Sequence, residues 1–258
     1  VIWPTFNRRR LAALLATTGA AGFAACDRIT DNDKVSRAVG VAEVLTRTSQ
    51  RALLTPGQMA PEYAESQISK WFKPNGTTDP SSEVYDQHVK DGFKDWTLAV
   101  GGLVDRPFSL SVAQLRAQPS RTQITRHDCV EGWSCIGKWK GAKLGEILAR
   151  AALKKEAKFI VFHCFDSLGE ATDGSDDYYE SIGLADAFHP QTILAYDMND
   201  APLGTQHGAP VRLRVERHLG YKQAKYVTGI EAVASLDHLH GGHGGYWEDR
   251  GYEWYGGI

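Results

Sequence analysis

The sequence predicts an α+β domain, mostly β, and three observations predict it. Short runs dense in β-branched and aromatic residues outnumber the stretches with helical spacing. The two kinds do not alternate regularly, which argues against a doubly wound parallel sheet. At 258 residues with 42% hydrophobic content, the chain can bury one sizeable core but is short for two.

Residues 1–26 read as an export leader. Asn7-Arg8-Arg9-Arg10 precedes a mildly apolar run, residues 11–25, that is shorter than the ~20 strongly apolar residues of a membrane span. The paired arginines resemble a twin-arginine signal, whose pathway exports proteins already folded and so suits a cofactor inserted in the cytoplasm. Phe23-Ala24-Ala25-Cys26 is lipobox-like without the usual leucine, so Cys26 is a candidate for a lipid anchor, with plain cleavage nearby as the alternative. Residues 27–60 are polar and mixed, with a short helix expected near 37–47, and read as a tether or arm on a main domain spanning 61–258.

Within the main domain, residues 72–80 are dense in turn formers, Asn75-Gly76 among them. Residues 96–104 read as a strand and turn, and 111–118 as a short helix started by a serine cap. A strand over 122–126 runs into a loop around Cys129; a helix follows over 143–152 and a buried strand over 158–165. Further strands are predicted over 178–182, 192–196, 211–215 and 226–233.

Lysine and arginine number 29 against 31 acidic residues, and this formal charge of -2 gives no electrostatic case for nucleic acid as a partner. With Cys26 assigned to the leader, Cys129, Cys135 and Cys164 remain, so at least one is unpaired; Cys135 and Cys164 are candidates for a disulfide in an oxidising compartment, with two free thiols as the alternative. Cys129 follows Arg126 and His127, two groups that favour an ionised thiol if they face it; alone, it also fits a small buried apolar residue. The tail His238-Leu239-His240-Gly241-Gly242-His243 has three histidines that could ligate zinc or copper, or form a mobile loop at a site mouth.

Two segments change the weight given to Cys129. Arg126-x-x-Cys129-Val130-Glu131-x-Trp133-Ser134 resembles the metal-binding loop of the sulfite-oxidase-fold molybdoenzymes, in particular the periplasmic protein-methionine-sulfoxide reductase catalytic subunits. Gly208-Ala209-Pro210-Val211-Arg212-Leu213, followed by Gly220-Tyr221-Lys222-Gln223-Ala224-Lys225, is similar to that family's second signature. The likeness runs from about Trp71 to Val233, and Trp247, Arg250 and Tyr252 resemble the sulfite oxidase tail.

The resemblance implies a sulfite oxidase molybdopterin-binding fold and a molybdenum cofactor (Mo-molybdopterin) with Cys129 as its only protein metal ligand. It implies that Arg212 and Lys225 hold the pterin's phosphate, that His207 donates to a pterin or phosphate oxygen, and that the backbone of Gln223 and Ala224 closes around the same group. Asn75 would contribute its amide, and Cys164 stands where the family has a pterin-contacting threonine, a weaker donor in its place. The implied activity is oxygen-atom transfer on a small S- or N-oxide in the periplasm, with a separate redox partner such as a membrane cytochrome. A sulfite dehydrogenase of the same fold is the alternative, and a non-catalytic exported binding module that lost the cofactor is another. Glu131-Gly132-Trp133 stands where sulfite oxidases have an arginine, which favours a neutral oxide over an anion, unless Arg217 or Arg250 folds back.

Overall fold

The computed structural model describes residues 57–80, 82–169 and 176–258, and among these described residues ten strands in two sheets carry four short α-helices at their edges. The leader, Cys26 and the short helix expected near 37–47 lie outside the described residues. The chain enters through α1 (Glu83–Lys90), capped by Ser82, whose hydroxyl accepts from the Tyr85 amide. Next come β1 (Thr97–Gly102), β2 (Phe108–Ser111) and α2 (Val112–Arg116). The predicted serine cap is there: Ser111 Oγ accepts from the Gln114 amide while the Gln114 side chain accepts from the Ser111 amide, so two otherwise orphaned donors are satisfied.

A long hairpin follows, β3 (Ser120–Asp128) and β4 (Ser134–Lys143), in register from Ser120 opposite Ala142 to Asp128 opposite Ser134. Its five-residue tip, 129–133, carries the cysteine. Along β3 the side chains of Gln123, Thr125 and His127 are buried and that of Arg126 is exposed, the period-two alternation of a strand with one covered face. Then α3 (Leu144–Ala151) buries Leu144, Ile147, Leu148 and Ala151, the i, i+3, i+4, i+7 stripe of an amphipathic helix. It stops where Ala152 turns left-handed at φ 56°.

β5 (Phe159–Ser167), β6 (Asp177–Gly183), α4 (Leu184–Ala187), β7 (Ile193–Met198), β8 (Ala201–Pro202), β9 (Arg212–Arg214) and β10 (Val227–Val233) complete the chain. One sheet has the order β2-β1-β10-β5-β6, with only β1 and β10 parallel. The other has the order β3-β4-β7-β8, with β9 also paired to β7, all antiparallel. A large apolar core lies on the first sheet and α3, around Leu98, Leu148, Ile160, Phe162, Leu194 and Ile230. A smaller one gathers Phe72, Trp139, Ile193, Ala195 and Met198 on the second. The fold is therefore α+β and mostly β, as predicted.

Residues 57–80 run beside the hairpin. Glu62 bridges Thr125, the Tyr63 amide donates to Ile124 O, and the Ser69 amide to Ile136 O. This course delivers Phe72, Asn75 and Thr77 to the hairpin's tip. The same end of the molecule receives the turn after β9 and the C-terminal segment.

Candidate cofactor site

The site is built on a buried indole. Trp139, on β4, is fully buried, and the guanidinium groups of Arg212 and Arg214 lie over its ring at 5.1 and 4.3 Å. Both arginines are on β9 and both are buried, but their partners differ. Arg214 forks onto Glu216 through Nε (3.0 Å) and Nη2 (2.6 Å), and its Nη1 donates to His127 Nδ1 at 2.9 Å. Arg212 meets only neutral acceptors: the His207 carbonyl (3.1 Å), Asn75 Oδ1 (3.3 Å) and the Gln223 carbonyl (3.4 Å). Its Nε has no partner.

The two lysines after β9 repeat the contrast. Lys222 is fully buried between two carboxylates, with Nζ 2.5 Å from Glu180 Oε1 and from Glu248 Oε1. Lys225 is buried too, but donates to the carbonyls of Thr77 and Gln206. Gly208 makes room for its stem: with φ at 102°, a Cβ there would lie 2.8 Å from Lys225 Cβ. Burial, and then the neighbouring Arg212, push Lys225 down to about 7, while burial and Arg214 push Arg212 down to about 9. Two buried cations without a carboxylate partner are costly, because an uncompensated charge in a protein interior typically costs several kcal/mol. An anion in reach of both would relieve that cost.

His207 adds a donor. Burial and Arg212 push it down to about 4, so its ring is neutral at neutral pH. Its Nε2 lies 3.3 Å from the Gln206 side-chain amide, so accepting there leaves the proton on the buried Nδ1, which has no partner. Arg212, Lys225 and His207 thus supply the unfilled hydrogen-bonding capacity a phosphate needs, and the donor set fits the phosphate of a pterin cofactor.

A cavity of about 350 Å³ opens beside Lys225; Arg212 and His207 stand behind its wall and do not line it. Asn75, Cys129, Gln223 and Lys225, all expected from the sequence, line it, together with Thr77, Glu131, Asp166, Tyr178, Tyr221, Trp247 and Tyr252. Cys129 sits at the start of the hairpin tip, where its amide donates to Trp133 O and its carbonyl accepts from the Gly132 amide, both at 3.0 Å. Trp133 Nε1 and Lys73 Nζ each donate to Glu131 Oε2, at 2.8 and 3.1 Å, tying the tip to the 72–80 segment.

Two expectations need correcting. Arg126 does not face the Cys129 sulfur: it is exposed and paired with Asp128 at 2.9 Å. His127 is buried on the opposite face of β3, held neutral by burial and by Arg214, its pKa well below the ordinary value. Burial accordingly raises the Cys129 thiol, with the nearby Lys73 charge drawing it back in part. Cys164 and Ala224 are not on the cavity wall; both pack with the large core, and the Ala224 carbonyl is taken by the Leu213 amide. Cys129, Cys135 and Cys164 are all free thiols.

The C-terminal tail is a wall, not a metal centre. Among the described residues no three His, Cys, Asp or Glu side chains converge on a metal position. His240 instead stacks on Tyr179 at 4.3 Å, and Asp249 accepts from Tyr179 Oη and from the Gly241 and His243 amides. The Lys222 clamp on Glu248 anchors this segment, which lays Trp247 and Tyr252 along the cavity. Sequence reasoning missed Asp166 and Tyr178; the available signal for Asp166 was a lone acid ending an apolar strand.

The oxidoreductase molybdopterin binding domain family matches residues 85–238. YedZ1 of Azospira oryzae, provisionally named a protein-methionine-sulfoxide reductase subunit, is 36% identical over 231 residues, 89% of this chain and 79% of its own length. The protein-methionine-sulfoxide reductase catalytic subunit MsrP of Xanthomonas axonopodis pv. citri is 32% identical over 241 residues, 89% of this chain and 71% of its own. The crystal structure of the sulfane dehydrogenase SoxCD from Paracoccus pantotrophus overlays on 55% of this chain and 39% of its own, at 21% identity and a TM-score of 0.48. A family match over more than half of the sequence, with relatives at 36 and 32% identity, places the chain in the oxidoreductase molybdopterin binding domain family, as a molybdenum-cofactor-dependent oxidoreductase with the sulfite oxidase molybdopterin-binding fold.

Proposed function

We propose that the chain catalyses oxygen-atom transfer on a small S-oxide or N-oxide, with electrons exchanged through a separate protein partner. The observation that carries this choice is the charge of the cavity wall. Glu131 lines it two residues after the sulfur, and the only lining cation among the described residues is Lys225. Arg250 does not fold back: it lies 3.6 Å over the Tyr246 ring and 3.1 Å from Asp176. Arg217 is held by Asp186 at 2.9 Å. Sulfite is a dianion near neutral pH and needs several positive groups around it. A neutral oxide does not, and the aromatic wall of Tyr178, Tyr221, Trp247 and Tyr252 suits its apolar part.

In this reading Cys129 is the protein ligand to molybdenum, and Arg212, Lys225 and His207 Nδ1 hold the pterin's phosphate, with Asn75 orienting the Arg212 fork. When bound, the cofactor supplies the metal centre that exchanges an oxygen atom and two electrons with the substrate. The chain binds it, sets the sulfur at the cavity wall and shapes the approach. The names of the relatives, a catalytic subunit and a subunit, support a separate redox partner, and a membrane cytochrome would serve. Residues 1–26 act as a twin-arginine-like export signal, 27–60 as a tether and 61–258 as the oxidoreductase domain, placing the enzyme in the periplasm, with Cys26 the residue that would carry a lipid.

A paired assay on molybdenum-loaded protein tests the substrate. One arm supplies reduced dye with sulfoxides or N-oxides, and the other sulfite with an oxidising acceptor. Turnover of the oxides is expected. Efficient sulfite oxidation without oxide reduction would establish the sulfite dehydrogenase alternative instead.

A further inference from the structure

Asp166, near the end of β5, is the buried carboxyl of the cavity wall. It is 4% exposed, and its Oδ1 meets no hydrogen-bond donor. Such an atom is costly unless a ligand completes it. Burial pushes the group up to about 6, with the Lys225 charge drawing it back down. Lys225 nevertheless spends its hydrogen bonds on the carbonyls of Thr77 and Gln206, so it does not lock Asp166 ionised through a direct pair.

The titratable groups facing Asp166 are Lys225, the Cys164 thiol and the phenols of Tyr85, Tyr178 and Tyr226. Burial raises the thiol and the three phenols, so all four are neutral at neutral pH. Lys225 is then the one charge among them. A phosphate-bearing cofactor brings negative charge into the same cavity and claims Lys225 for itself. A like charge arriving in a poorly solvated space favours the neutral form of a carboxyl, and a neutral carboxyl has a proton to donate.

We propose that Asp166 takes up one proton as the cofactor enters the cavity and donates that O–H to it, which makes cofactor retention depend on pH through this side chain. This rests on the assignment of the cavity to the cofactor. The balance is simple: a carboxylate and a solvent proton become a carboxylic acid on binding, and the proton returns to solvent on release. The sign follows. Retention is strongest where Asp166 is already neutral in the empty protein, and weakens as pH rises between its empty-state and bound-state values, by at most a factor of about ten per pH unit.

Lys225 and the phosphate also titrate, so the test compares proteins at each pH. Warmed holoenzyme, wild type and Asp166→Asn, is filtered at intervals from about pH 6 to 8.5, and released pterin is read by its fluorescence after oxidation. The isosteric amide keeps a donor at every pH. Expected is a release rate that climbs about tenfold more steeply across that range in wild type than in Asp166→Asn. Asp166→Ser, which also lacks a titrating group, should share the shallow slope and guards against a single misfolded variant. Equal slopes in all three would overturn the proposal. Faster release from Asp166→Asn at every pH would overturn it too, by making the ionised carboxylate the ligand. Wild-type protein from a cofactor-competent host that carries no pterin would overturn the cavity assignment itself, and this inference with it.

Discussion

Arg212 and Lys225 differ from Arg214 and Lys222 only in lacking a carboxylate, and that difference makes a prediction with a sign. In cofactor-free protein, Lys225→Met removes a buried charge that no hydrogen-bonded carboxylate neutralises, Asp166 acting on it only through space, so the variant should unfold at a higher temperature than wild type, a gain of about 1–4 kcal/mol. In loaded protein the order should reverse, because the same lysine then holds the phosphate; paired thermal melts with and without cofactor check this. The pH dependence follows from the same group. Its pKa is about 7 in the folded chain against an ordinary 10.5, so the unfolded chain binds more protons between these values. The stability of cofactor-free protein should therefore rise with pH from about 7 upward, the penalty being fully present below that, and the rise should vanish in loaded protein. Cys129, Arg212 and Lys225 stand out in the sequence as candidates because they sit in spaced motifs. The supposed activation of Cys129 by Arg126 and His127 does not hold, since residues three and two apart along a strand and its turn need not share a face. Asp166 escaped notice because a single acid beside an apolar run says nothing of the cavity it faces.

At the scale of elements, the β3–β4 hairpin is the device that presents the sulfur. Gly132 in its tip has φ at 84°, with nothing within 4 Å of where a Cβ would lie, so only its backbone conformation resists substitution. Gly132→Val should therefore cost about 1–2 kcal/mol and lower bound molybdenum, while Gly132→Asn, which tolerates the left-handed region, should lie close to wild type. Thermal melts with metal analysis distinguish the two. The strand leading into the tip was visible as alternating β-branched and polar residues. Its partner β4, Ser-Cys-Ile-Gly-Lys-Trp-Lys-Gly-Ala-Lys, was not, because glycine and lysine dilute the pattern. That strand supplies Trp139, the platform for both β9 arginines. Conversely, the serine cap of α2 and the apolar stripe of α3 are local signals, and the structure has both helices where they were expected.

For the whole molecule, the pairing of β1 with β10 and the convergence of residues 75–77, 129–131, 221–225 and 247–252 on one cavity join residues too far apart for any local pattern to reveal. Only the family resemblance made that convergence readable. The proposed export route has its own test at this scale: Arg8→Lys with Arg9→Lys should leave precursor in the cytoplasm, because the pathway reads the arginine pair rather than positive charge, and normal export on cell fractionation would point to another route. Whether Cys129 binds the metal while Arg212 and Lys225 hold the pterin can be read by measuring molybdenum and pterin content together in three folded proteins. Wild type should carry both, and Cys129→Ser should keep its pterin but show no turnover, since the phosphate contacts are independent of the sulfur. Arg212→Met combined with Lys225→Met should carry neither. A folded double variant with wild-type pterin content, or a Cys129→Ser protein that still turns over, would contradict the account.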